Sequence, residues 1–118
     1  MATVLLVDDD RRLLDALAAL AEEEGYVVQK AFDGCQALRC ARAERPALIV
    51  TDNMMPGMSG EELVRALAND PALADVPVVM SSAVAAPPSS LPVVAFIRKP
   101  FAAARFLELL RQHTAGSK

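Results

Sequence analysis

With 118 residues, 53% of them hydrophobic, and a formal net charge of −3, the chain has enough apolar material for one folded domain with a real core. The acidic balance excludes the clustered basic surface that nucleic acid or an anionic membrane requires, and no apolar run approaches the length of a membrane span. Met1-Ala2-Thr3 runs straight into an apolar segment without a basic or long hydrophobic leader, so a single cytoplasmic domain over residues 1–118 is expected.

Val4-Leu5-Leu6-Val7 reads as a parallel strand buried on both faces, and Asp8 and Asp9 follow it directly. Asp10 suits the cap of a helix over Arg11 to Glu24, where Leu13, Leu17, Leu20 and Ala21 fall at helical spacing and Gly25 ends the run. Arg11 and Arg12 form its solvated first turn. Tyr26 to Ala31 is a second strand. Asp33 caps a second helix through Arg45, on which Cys35 and Cys40 lie about 140° apart and therefore do not pair.

Pro46 separates that helix from a third strand, Ala47 to Thr51, which delivers Asp52. After the loop Asn53 to Met58, Ser59-Gly60-Glu61-Glu62 is a capping box opening a helix to about Asn69, which Asp70-Pro71 closes. Met54, Met55 and Met58, beside Pro56-Gly57, read as loop and packing residues rather than soft-metal ligands. Pro77 to Ser81 and Val93 to Ile97 are two more strands. Phe101 to His113 is the last helix, with residues 114–118 a frayed tail.

Alternating strands and helices imply a doubly wound α/β domain with a parallel sheet and right-handed crossovers. Ligands of such sheets bind beyond the carboxyl ends of the strands, where Asp8, Asp9, Asp52, Ser82 and Lys99 all fall. Carboxylates gathered there repel one another and either keep a proton or bind a cation, and an all-oxygen set suits Mg²⁺ with a phosphate. One carboxylate could then attack a phosphoryl group while Lys99 and Mg²⁺ neutralise charge and Ser82 bonds an oxygen.

On Val4-Leu5-Leu6-Val7-Asp8-Asp9-Asp10, Thr51-Asp52-Asn53-Met54-Met55-Pro56-Gly57-Met58-Ser59-Gly60, Pro77-Val78-Val79-Met80-Ser81-Ser82-Ala83 and Lys99-Pro100-Phe101, the sequence resembles the receiver domains of two-component response regulators. The resemblance implies a five-stranded flavodoxin-like sheet in the order 2-1-3-4-5, the order under which a receiver is a standard example. It implies Asp52 as phosphoacceptor and Asp8, Asp9, Asp52 and the Met54 backbone carbonyl as Mg²⁺ ligands, Asp8 in a supporting role. Ser82 becomes the switch hydroxyl, Ala83 the small residue that admits the phosphoryl group, Lys99 its ion-pair partner and Phe96 the aromatic switch position. A cis Lys99-Pro100 bond is implied too. The partners implied are a sensor histidine kinase or histidine phosphotransfer protein and a downstream protein target, with a homodimer left open.

Three departures qualify the resemblance. From Ala83 to Pro92 the crossover is only ten residues and holds Pro87, Pro88 and Pro92, so the family's fourth helix is expected to shrink to one turn or vanish. Phe96 lacks a hydroxyl and is expected to favour burial, which weakens coupling from Ser82 to the surface. Met54 and Val84 offer no polar group to position an attacking water, so loss of phosphate should be slow.

Two other functions compete: a phosphorylation-independent adaptor of the same fold, and a haloacid-dehalogenase-type phosphatase using Asp8-x-Asp10. The phosphatase motif expects Thr or Val where Arg12 stands.

Overall fold

A computed structural model describes residues 2–84 and 90–114. Short apolar runs become strands and amphipathic runs become helices in the order β1 (Thr3–Val7), α1 (Arg11–Glu23), β2 (Val27–Ala31), α2 (Gly34–Ala43), β3 (Leu48–Asp52), α3 (Gly60–Ala68), β4 (Val78–Ser82), β5 (Ala95–Arg98) and α4 (Ala103–Thr114). The strands pair in parallel in the order β2-β1-β3-β4-β5, so β1 and β3 lie side by side at the centre. Chain direction reverses its sense of addition between them, which opens a crevice at their carboxyl ends.

Period-two alternation divides the core between the two faces of the sheet. Leu5 and Val7 of β1 join Ile49, Leu63, Leu67, Val78 and Met80 under α2 and α3. Val4 and Leu6 join Leu14, Leu17, Val50, Phe106 and Leu110 under α1 and α4. All five residues of β3 and of β4 are buried, as strands covered on both faces must be.

The caps follow the sequence signals. Asp10 accepts from the amides of Arg12 and Leu13, Asp33 from Gln36, and Ser59 and Glu62 close a complete capping box on α3. Past the end of α1, Gly25 takes φ 96°, a conformation that side chains with a Cβ rarely adopt.

Some boundaries differ from the sequence reading. β5 begins at Ala95, not Val93: the Val94 amide still bonds to the Val78 carbonyl at 2.9 Å, but the register that pairs with β4 starts one residue later. Thr114, expected in the frayed tail, is the last residue of α4. It is buried, with its hydroxyl donated to the Leu110 carbonyl at 2.6 Å and lying 3.2 Å from the Tyr26 hydroxyl. Residues 115–118 lie outside the described residues.

Between β4 and β5 no described residue is helical. The expectation of a lost or one-turn helix extends over Pro87 and Pro88, which lie outside the described residues. Leu91, from the described part of this connection, is buried among Leu73, Val76 and Val78.

Candidate functional site: an acidic pocket at the carboxyl edge of the sheet

The end of β1 sets the first carboxylate. The Asp8 amide continues the ladder to the Ala31 carbonyl at 3.1 Å, which fixes its backbone against β2. Its side chain is buried and accepts from the Asp10 amide at 2.9 Å. Asp10 is spent on capping α1, the role the sequence favoured for it. Asp9 points from the same turn with an exposed side chain, and Asp52 closes β3 buried at 5% exposure.

Carboxylate oxygens of Asp8, Asp9 and Asp52 all lie within 4.8 Å of one another. Lys99, one residue past β5, places its ammonium 2.7 Å from Asp8 Oδ2 and 3.4 Å from Asp52 Oδ1. Three clustered acids, two of them buried and paired with one lysine, leave a surplus of negative charge.

The titration of these groups reflects that imbalance. Burial pushes the Asp52 carboxyl above the usual aspartate range; Lys99 opposes this, and the charges of Asp8 and Asp9 add to it. Burial works against the Lys99 ammonium, but its hydrogen bond and charge contact with Asp8, with Asp52 behind, hold its pKa above the ordinary lysine value. A hard divalent cation fits this donor set: oxygen ligands only, clustered within reach of one ion, with an anionic excess that one ion would relieve.

The remaining residues approach from β4 and β5. Ser82, last in β4, is buried; its Oγ accepts from the Val84 amide at 3.1 Å, and its carbonyl accepts from the Lys99 amide at 3.0 Å. The two candidate phosphoryl contacts are therefore fixed to each other through the main chain. The Lys99-Pro100 bond is cis, as the resemblance implies. Ala83 is exposed and, with Leu13, Lys99, Pro100 and Phe101, lines a cleft of about 270 Å³ beside the pocket.

Met54 is 60% exposed, and the ligand role that the resemblance implies for it falls on its backbone carbonyl. Phe96 is half-buried against the α2–α3 face of the core, opposite Met80 in the ladder and two pairs before Ser82. It is partly buried rather than enclosed.

Sequence reasoning passed over Asn53. Its amide donates to the Ser81 carbonyl at 2.9 Å, its carbonyl accepts from Gly60 at 3.0 Å, and its side-chain oxygen accepts from the Glu61 amide at 2.9 Å. An Asn between a strand-end carboxylate and a Ser-x-x-Glu box was the available signal. Arg11, in the solvated first turn of α1, also sets its guanidinium 3.9 Å from the centre of the Phe32 ring.

The comparisons with known proteins bear on this site. The family described as the response regulator receiver domain matches residues 4–111. Protein PilH of Pseudomonas aeruginosa is 35% identical over 80 residues, 68% of this chain and 66% of PilH. The DNA-binding response regulator MtrA of Mycobacterium tuberculosis is 40% identical over 80 residues, 68% of this chain but 34% of MtrA. The matches thus span under two thirds of PilH and about a third of MtrA. Among solved structures, the chemotaxis protein CheY4 of Vibrio cholerae has a TM-score of 0.89 at 29% identity, covering 96% of this chain and 98% of that one. The signal receiver domain of a histidine kinase from Syntrophus aciditrophicus gives 0.92 at 28% identity, covering 100% of this chain and 93% of that one.

Receiver domains are signalling modules that work with histidine kinases or phosphotransfer proteins and generally bind Mg²⁺ at an acidic pocket; this chain gathers Asp8, Asp9 and Asp52 at the carboxyl edge of its sheet. Family match and shared fold, each spanning nearly the whole chain, lead to one assignment: this chain belongs to the response regulator receiver-domain family.

Proposed function

We propose that this domain is a phosphoacceptor switch whose Asp52 takes a phosphoryl group from a histidine kinase or histidine phosphotransfer protein. The observation that carries the reading is the position of Asp52: buried at the end of β3, 3.4 Å from Lys99, with Asp8 and Asp9 carboxylates inside 4.8 Å. In the transfer an Asp52 oxygen bonds to phosphorus as the bond from phosphorus to the donor's histidine nitrogen breaks, and the imidazole leaves with the electron pair.

Asp8, Asp9, Asp52 and the Met54 backbone carbonyl would hold Mg²⁺, which when bound supplies neutralising charge for phosphoryl oxygens. Lys99 gives an ammonium to the arriving group, Ser82 a hydroxyl proton, and Ala83 leaves room for it. Output then passes by protein contact to a downstream target or a second copy of the domain, with Phe96, two ladder pairs before Ser82, at the aromatic switch position.

Met54 and Val84, both largely exposed and apolar, offer nothing to orient an attacking water, so the phosphorylated form should persist. Treatment with acetyl phosphate in the presence and absence of Mg²⁺, followed by intact mass, tests the reading. The expected result is a Mg²⁺-dependent phosphate adduct that is absent from Asp52→Ala and decays over minutes or longer. An adduct surviving in Asp52→Ala would assign the chemistry elsewhere. Failure of both acetyl phosphate and a phosphorylated histidine phosphotransfer protein would favour the phosphorylation-independent adaptor, a reading that the non-helical described residues between β4 and β5 also suit.

A further inference from the structure

The β3–α3 loop is held at three points by one residue. Asn53 joins β4 through its amide, α3 through its carbonyl, and α3 again through its side chain, which caps Glu61. It lies between Asp52 and Met54, so every one of these bonds fixes the backbone that presents both.

The approach of α3 to this loop is equally tight. A Cβ on Gly60 would overlap the Asp52 carbonyl oxygen and come within 2.8 Å of the Asn53 Cα. The first turn of α3 therefore rests directly on the backbone of the phosphoacceptor.

The same helix carries a second cap that does not touch this backbone. Ser59 accepts from Glu62 at 3.1 Å, and Glu62 returns a bond to the Ser59 amide at 3.0 Å. Two caps of similar worth thus satisfy neighbouring orphan amides of one helix, and only one of them spans to the acidic pocket.

We propose that Asn53 is a positioning residue for the cation site: its side-chain bond to the Glu61 amide sets the Asp52–Met54 backbone for metal binding and ties the state of that site to the first turn of α3. The inference rests on the reading of Asp8, Asp9, Asp52 and the Met54 carbonyl as Mg²⁺ ligands. A residue that orients ligands in this way typically changes metal affinity by about tenfold or more when lost.

Asn53→Ala and Ser59→Ala separate positioning from general helix stability. Each should lower the melting temperature of the metal-free protein by a similar few degrees, since each removes one cap. Mg²⁺ titration by calorimetry should then give an affinity about tenfold weaker for Asn53→Ala and within about twofold of the parent for Ser59→Ala.

Amide NMR of the metal-free proteins provides the second readout. The Glu61 amide, which donates to the Asn53 side chain, should exchange with solvent faster in Asn53→Ala, keep the parent's protection in Ser59→Ala, and recover it in Asn53→Asp, whose side chain keeps the acceptor. Equal Mg²⁺ affinity in the parent and Asn53→Ala would overturn the proposal while leaving the metal reading intact. A parent that binds no Mg²⁺ would overturn both.

Discussion

Asp52 concentrates the electrostatic cost of the pocket. Two like charges about 5 Å apart repel by on the order of 3 kcal/mol at an effective dielectric constant of 20, and Lys99 offsets part of this for Asp52. Because folding raises the Asp52 pKa above its ordinary 3.8, the folded state holds that proton more tightly than the unfolded chain. The ionised group therefore costs stability at neutral pH, and the cost fades as pH falls through the folded pKa. Asp52→Asn should accordingly melt higher than the parent in metal-free buffer at pH 7, by about 3 °C or more. The gap between the two should close as pH approaches 3.8, with melting followed by circular dichroism at each pH. Mg²⁺ should narrow it at neutral pH by stabilising only the parent. An Asp52→Asn that melts lower than the parent at pH 7 would mean that Lys99 outweighs burial and the neighbouring acids.

Among the elements, α3 shows how local sequence sets the pocket. Its capping box was legible because Ser59 and Glu62 stand at the required spacing, and the strand-end acids were legible because short apolar runs stop at them. The close contact between Gly60 and the Asp52 carbonyl was not, since a glycine in the first turn of a helix has many reasons to be there. Nor was the start of β5: Val93 and Val94 are as strand-like as Ala95, and only hydrogen-bond register with Val79 separates them. Phe32 stayed silent for the same reason, since its partner Arg11 comes from a different element. Gly60→Ala makes the hidden contact measurable. Alanine is the better helix former by up to about 1 kcal/mol, so local propensity alone predicts a stabilised α3. The obstacle is backbone rather than a flexible side chain, so the variant should instead lose about 2 kcal/mol in urea unfolding and shift the Asp52 and Asn53 amide resonances. A stabilised Gly60→Ala would show that α3 can withdraw from the pocket at no cost.

For the whole molecule, the question is how one face of a two-faced sheet stays covered where β4 joins β5. α1 and α4 cover the face built on Leu6, Val50 and Ile97. On the other face α2 and α3 cover Leu5, Ile49 and Val78, and Leu91 is buried with them although it belongs to no helix or strand. A side chain from an irregular connection contributes as much apolar burial as one from a helix, because transfer from water depends on the area removed and not on backbone conformation. Leu91 should therefore behave as a core residue. Leu91→Ala removes buried methyl groups beside Leu73 and Val76 and is expected to cost about 2–4 kcal/mol in urea unfolding, comparable to Leu14→Ala on the opposite face. Val94→Ala, at a side chain 49% exposed, should cost no more than about 0.5 kcal/mol. If the connection is instead only loosely laid over the sheet, the two substitutions will be equally mild. A large loss at Leu91 with a small one at Val94 means that Leu91 is packed as core on the α2–α3 face, beside the strand whose Ser82 carbonyl accepts from the Lys99 amide.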